Sequence, residues 1–143
     1  MPFKPIVTII NNEPTFRWTV ATLLEDSGYA VTMHERNTAA VDKVRETQPA
    51  AIILEASSGS AVTATWIVER LRGNPDTRYY PIIVCSPDGK FLHAYGEYLR
   101  GQGCVVLGRP YNDDQLIELL QNVVAVQNPL PQPALDELSL TGS

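Results

Sequence analysis

The run Ala51-Ile-Ile-Leu-Glu55 ends an apolar stretch with a single carboxylate. A carboxylate so placed can ligate a hard metal ion, take up a phosphoryl group or close a salt bridge. Three other short apolar runs end in polar groups of complementary kinds. Ile6-Val-Thr-Ile-Ile10 leads into Asn11 and Asn12, Ile82-Ile-Val-Cys85 into Ser86, and Cys104-Val-Val-Leu107 into Gly108 and Arg109. The two asparagines supply neutral oxygens, the serine a hydroxyl, and Arg109 a planar fork that fits a carboxylate. Neither histidine belongs with this group: His34 follows the second strand and His93 sits on the fourth helix. Ser86 therefore has no base to activate it, and no residue is assigned a catalytic role.

These polar groups can meet only if the strands that carry them lie side by side. Four or five consecutive apolar residues read as strands buried on both faces, as in a parallel sheet. Between them lie amphipathic stretches. Pro14 opens a first helix with Phe16, Val20, Leu23 and Leu24 inward, and Gly28 ends it. The run from Tyr29 to Met33 is a second strand at an edge. Asn37 or Thr38 caps a second helix with Ala40, Val41 and Val44 inward, and Pro49 stops it. Residues 56–62 read as a small flexible loop. A third helix reaches about Arg72 with Trp66, Ile67 and Leu71 inward, and a fourth, about residues 91–100, is aromatic and broken by Gly96. Asn112 caps the last helix, with Leu116, Leu119, Leu120 and Val123 inward.

Five strands alternating with five helices give an α/β fold, a parallel sheet covered on both faces. The C-terminal strand ends then gather Asn11, Asn12, Glu55, Ser86 and Arg109 around one crevice, where open α/β sheets place their sites. Residues 1–126 form one domain. From about Gln127 the chain turns to Pro, Asn, Gln and Ser, which reads as a disordered Pro-rich tail over 127–143.

The bulk numbers exclude several classes. The 143 residues are 44% hydrophobic and 19% charged, as in an ordinary globular domain. A net charge of -5 argues against direct nucleic-acid binding. No apolar run approaches the ~20 residues of a membrane span, and the N-terminus lacks a signal-peptide core. Cys85 and Cys104 lie in apolar runs with no Cys-x-x-Cys pattern, which reads as free buried thiols in a reducing, cytoplasmic compartment.

Over about residues 4–126 the chain resembles the receiver domain of response regulators, the phosphoacceptor module of two-component signalling. The strongest likeness is residues 66–84, from Trp66-Ile-Val-Glu-Arg-Leu-Arg-Gly-Asn-Pro through Pro81-Ile-Ile-Val84, which resembles the family's third helix, turn and fourth strand. Asn11-Asn-Glu-Pro14 falls where the family usually has Asp-Asp-Glu-Pro. Glu55 falls on the phosphoacceptor aspartate, Ser86 on the switch Ser/Thr, Val106 on the rotameric Tyr or Phe, and Arg109-Pro110-Tyr111 on Lys-Pro-Phe. The resemblance implies a flavodoxin-like (βα)5 sandwich of three layers, with strand order 2-1-3-4-5.

It also implies a degenerate receiver. The acidic ligands of the family's Mg²⁺ site are replaced at Asn11 and Asn12, so Mg²⁺ binding is expected to be weak or absent and no cofactor is assigned. Glu55 sets its carboxylate one C–C bond further out than aspartate, which disturbs in-line attack. Two readings of Glu55 stay open. It imitates the phosphorylated state by pairing with Arg109 and accepting from Ser86, or it closes a silent polar network. The face that docks proteins in the family carries Phe91, Tyr95, Tyr98 and Tyr111 here, whereas Val106 removes the aromatic switch. The expected function is signalling through protein–protein interaction, independent of aspartyl phosphorylation. A histidine kinase and an output protein are the candidate partners, with homodimerisation through helix 4, strand 5 and helix 5. The alternatives are a working phosphoacceptor of a phosphorelay and a small-ligand sensor using the same crevice.

Overall fold

The computed structural model describes residues 4–108 and 112–127. Its strands are β1 (Ile6–Ile10), β2 (Ala30–His34), β3 (Ala51–Glu55), β4 (Ile82–Ser86) and β5 (Val105–Gly108). Its helices are α1 (Pro14–Asp26), α2 (Ala40–Thr47), α3 (Ala61–Gly73), α4 (Gly89–Gly101) and α5 (Asp113–Gln127). All four strand pairings are parallel, in the order β2-β1-β3-β4-β5. This is the parallel sheet covered on both faces expected from the alternation of elements, in the flavodoxin-like strand order that the receiver resemblance implies.

The side-chain period of two divides each strand between two cores. Val7, Ile9, Ile53, Ile83 and Cys85 face one side, where Val20, Ala21 and Leu24 of α1 and Leu116 and Leu120 of α5 cover them. Ile10, Ile52, Leu54, Ile82 and Val84 face the other, beneath Val41 and Val44 of α2, Ile67 and Leu71 of α3, and Phe91 and Leu99 of α4. The continuous apolar runs are explained by this burial on both faces. Neither cysteine forms a disulfide and both are buried, and burial pushes the Cys104 thiol up.

Local chemistry sets the element ends. Gly28 has φ +100°, the left-handed backbone that lets α1 turn into β2. Asn112 and Gln115 close a reciprocal box at the start of α5: the Gln115 N–H donates to Asn112 Oδ1 (2.8 Å) and the Asn112 N–H to Gln115 Oε1 (2.8 Å). At the end of α3, Arg72 donates to the carbonyls of Gln102 (2.6 Å), Arg78 (2.8 Å) and Tyr80 (2.7 Å), tying the helix to the segments that enter β4 and β5.

Two local expectations are corrected. The loop after β3 is shorter and more ordered than residues 56–62 suggest: Ser58–Ser60 is a 3-10 turn, and α3 begins at Ala61. The Ser57 N–H donates to Ser60 Oγ (3.0 Å), so the small residues cap a helix and do not leave it loose. Gly96 does not break α4, which runs unbroken from Gly89 to Gly101. A Cβ at Gly96 would lie 3.2 Å from the Arg100 guanidinium, so the missing side chain makes room for the next turn. A glycine costs about 1 kcal/mol inside a helix, too little to stop one that packs Phe91 and Leu99 into the core.

The Pro-rich tail and the Arg109-Pro110-Tyr111 segment lie outside the described residues. Among the described residues no helix is long and apolar enough to cross a membrane.

Candidate functional site

The sheet brings Asn11, Glu55 and Ser86 together at the C-terminal ends of β1, β3 and β4. All three are buried despite being polar, with Asn11 1% and Glu55 8% exposed. Such groups must be paired, because an unpaired buried polar group costs about 1–3 kcal/mol. The Asn11 Nδ2 amide donates to Glu55 Oε1 at 2.7 Å, a bond across the β1–β3 seam. Asn11 Oδ1 accepts the Glu13 N–H (2.7 Å), which turns the chain out of β1 and into α1. The β1–β2 ladder runs one residue further, since the Asn11 N–H donates to the His34 carbonyl (3.0 Å).

Asn12 is exposed and makes a different link. Its Oδ1 accepts the backbone N–H of Arg36 at 2.6 Å. Arg36 lies two residues beyond β2, and its Nη1 reaches back to donate to the Glu55 carbonyl at 3.0 Å. Burial pulls the Arg36 pKa down, while the Glu55 charge pushes it up; an arginine remains a cation throughout. Sequence reading had no place for Arg36. The only available clue was that its edge strand must lie beside β1, which places the following turn at the crevice rim.

Ser86 is tied on the other side. Its Oγ accepts the Asp88 N–H (3.0 Å). Asp88, also missed, joins two elements: its carboxylate accepts from Ser58 N–H (2.8 Å) and caps α4 through the N–H groups of Lys90 (2.9 Å) and Phe91 (3.3 Å). Hydrogen bonds from Ser58, foremost its backbone N–H, bring the Asp88 pKa down to about 2. The signal was present in Asp88-Gly89, an Asx residue placed just before a helix.

The cleft over these groups has a volume of about 420 Å³, and Asn11, Asn12, Arg36, Glu55, Ser57 and Pro87 are among its lining residues. Among the described residues, no three His, Cys, Asp or Glu side chains are grouped so as to hold a metal ion. Arg109 and Pro110, expected at the same crevice, lie outside the described residues. His34 is half-buried with its Nε2 unpartnered, and burial lowers its pKa.

No protein-family model matches the chain, and no curated protein matches it. Solved structures do match. A sensor protein from Polaromonas sp. is 20% identical with a TM-score of 0.73, over 87% of this chain and 99% of the other. A chemotaxis response regulator of Vibrio cholerae is 21% identical with a TM-score of 0.72, over 85% and 99%. The receiver domain of a sensor histidine kinase from Pseudomonas aeruginosa, which holds a magnesium ion in its active-site cleft, is 19% identical with a TM-score of 0.69, over 86% and 99%. The fold is that of response-regulator receiver domains.

The aromatic face of α4 is partly corrected. Phe91 is wholly buried and stacks on Tyr95 with ring centroids 5.2 Å apart, so it belongs to the core and not to a docking surface. Tyr95 is half-buried against the same core. Tyr98 stays exposed and donates its hydroxyl to Glu69 Oε2 (2.6 Å), a bond that holds its pKa up at about 12. Tyr111 lies outside the described residues. Val106 is half-buried and packs into the α2–α3–α4 core.

Proposed function

We propose that this chain is a receiver-type signalling module that works through protein contact without aspartyl phosphorylation, with Glu55 standing at the phosphoacceptor position. The observation that carries this reading is the 2.7 Å bond from Asn11 to Glu55. An ionised aspartate in place of Asn11 could not donate it, and the carboxylate that Asn11 engages is the side chain at the acceptor position.

The donor set suits a divalent ion poorly. Mg²⁺ demands near-ideal octahedral oxygen ligation and favours carboxylates. Here the side-chain oxygens of Asn11 and Asn12 each hold a backbone N–H, and the Glu55 carbonyl holds a guanidinium. Without an ion to neutralise the phosphoryl oxygens, in-line transfer to Glu55 loses its main source of charge stabilisation. On this reading the chain acts in the cytoplasm as a folded unit of residues 1–126 with a tail over 127–143. Its partner is a histidine kinase or an output protein, and α4, β5 and α5 serve for docking or homodimerisation.

The test is incubation of the full-length chain with acetyl phosphate and Mg²⁺, followed by intact-mass spectrometry. The expected spectrum shows the unmodified mass alone. An added phosphoryl group that disappears in Glu55→Gln would make the chain a working phosphoacceptor and overturn the proposal.

A further inference from the structure

The cleft carries its own positive charge. Arg36 is anchored twice: its backbone N–H is held by Asn12 Oδ1 at 2.6 Å, and its Nη1 donates to the Glu55 carbonyl at 3.0 Å. Its side chain lines the cleft beside Glu55, and the charge of Glu55 acts on it. An acidic pocket can be balanced by a bound cation or by a covalently attached one, and two cations cannot share it without strong repulsion. Asn12 has a specific part in this arrangement. Its neutral amide offers an oxygen to the Arg36 N–H, so the residue at a ligand position now holds the competing cation in place.

We propose that, among the described residues, Arg36 is the resident cation of this pocket: its guanidinium takes the counter-charge role of a divalent ion and keeps such ions out. This rests on the receiver reading above and adds the agent that enforces it. The asparagines alone would weaken an ion site by removing ligands. Arg36 opposes the ion directly, so restoring the carboxylates does not by itself restore the site.

The test uses the full-length chain and Mn²⁺, whose free fraction is read by electron paramagnetic resonance. Four proteins are compared: wild type, Asn11→Asp/Asn12→Asp, and that double variant with either Arg36→Met or Arg36→Lys added. Methionine keeps an apolar stem without charge, and lysine keeps the charge without the fork. Circular dichroism confirms that each variant is folded. The expected result is weak Mn²⁺ binding by the double variant, at least tenfold tighter binding once Arg36→Met is added, and no comparable gain with Arg36→Lys. Equal affinity with and without Arg36→Met overturns the proposal, and so does an equal gain with methionine and lysine, which would make the effect one of shape. Failure of the receiver reading is separate: it would show as tight Mn²⁺ binding by the wild-type chain.

Discussion

Phe91→Ala is expected to lower the unfolding free energy by about 3–5 kcal/mol, the range for removing a fully buried aromatic ring from a packed core. Phe91 has no exposed surface and lies at the centre of the core beneath α2, α3 and α4. Its stacking partner Tyr95 loses a neighbour as well, and the cavity left behind adds to the lost transfer energy. Urea denaturation gives the measure: the midpoint falls while the slope stays near the wild-type value. Glu97→Ala, at an exposed position of the same helix, is the control and leaves the midpoint nearly unchanged, because surface substitutions fall within about 0.5 kcal/mol. A small loss for Phe91→Ala would return that ring to the docking surface.

Asn11→Asp is expected to cost about 2–3 kcal/mol at pH 7, since it removes a buried donor and sets a second carboxylate against Glu55. Two carboxylates at hydrogen-bond distance cannot both ionise in a buried site, so the folded variant holds a proton there at neutral pH. The unfolded chain has released that proton, because free Asp and Glu titrate near about 4. The folded state therefore binds more protons than the unfolded one above that range, and stability falls as pH rises. The penalty shrinks as pH is lowered from 7 towards 5. Urea midpoints across that interval, compared with wild type, check the sign. A variant as stable as wild type with no added pH dependence would mean that the Asn11–Glu55 bond is not a stabilising link.

Much of the architecture could be read from apolar runs such as Ile6–Ile10 and Ala51–Glu55, because a strand buried on both faces leaves an uninterrupted signature. The gathering of Asn11, Glu55 and Ser86 followed from that, since each closes a strand at the same end of a parallel sheet. Arg36 was hidden for the opposite reason. It stands in a turn next to Glu35, where a charged pair reads as solvated, and only the β2–β1–β3 adjacency brings its side chain across to the Glu55 carbonyl. The aromatics of α4 were ambiguous because helical spacing aligns Phe91, Tyr95 and Tyr98 without saying which side faces the sheet. The buried stripe runs through Phe91, Gly96 and Leu99, and one residue of rotation, about 100°, separates Leu99 from the exposed Tyr98. Gly96 misled as well: a residue that weakens an isolated helix is tolerated where tertiary packing holds both flanks.

We propose a receiver-fold pocket that is neutralised from within and recruits no divalent ion. Its most direct test is a titration of millimolar Mg²⁺ into the full-length wild-type chain, followed through the amide resonances of Asn11, Asn12, Arg36, Glu55 and Ala56. The expected result is no saturable shift at these five positions beyond the general effect of ionic strength. A saturable, localised shift centred on Asn12 and Glu55 would contradict it.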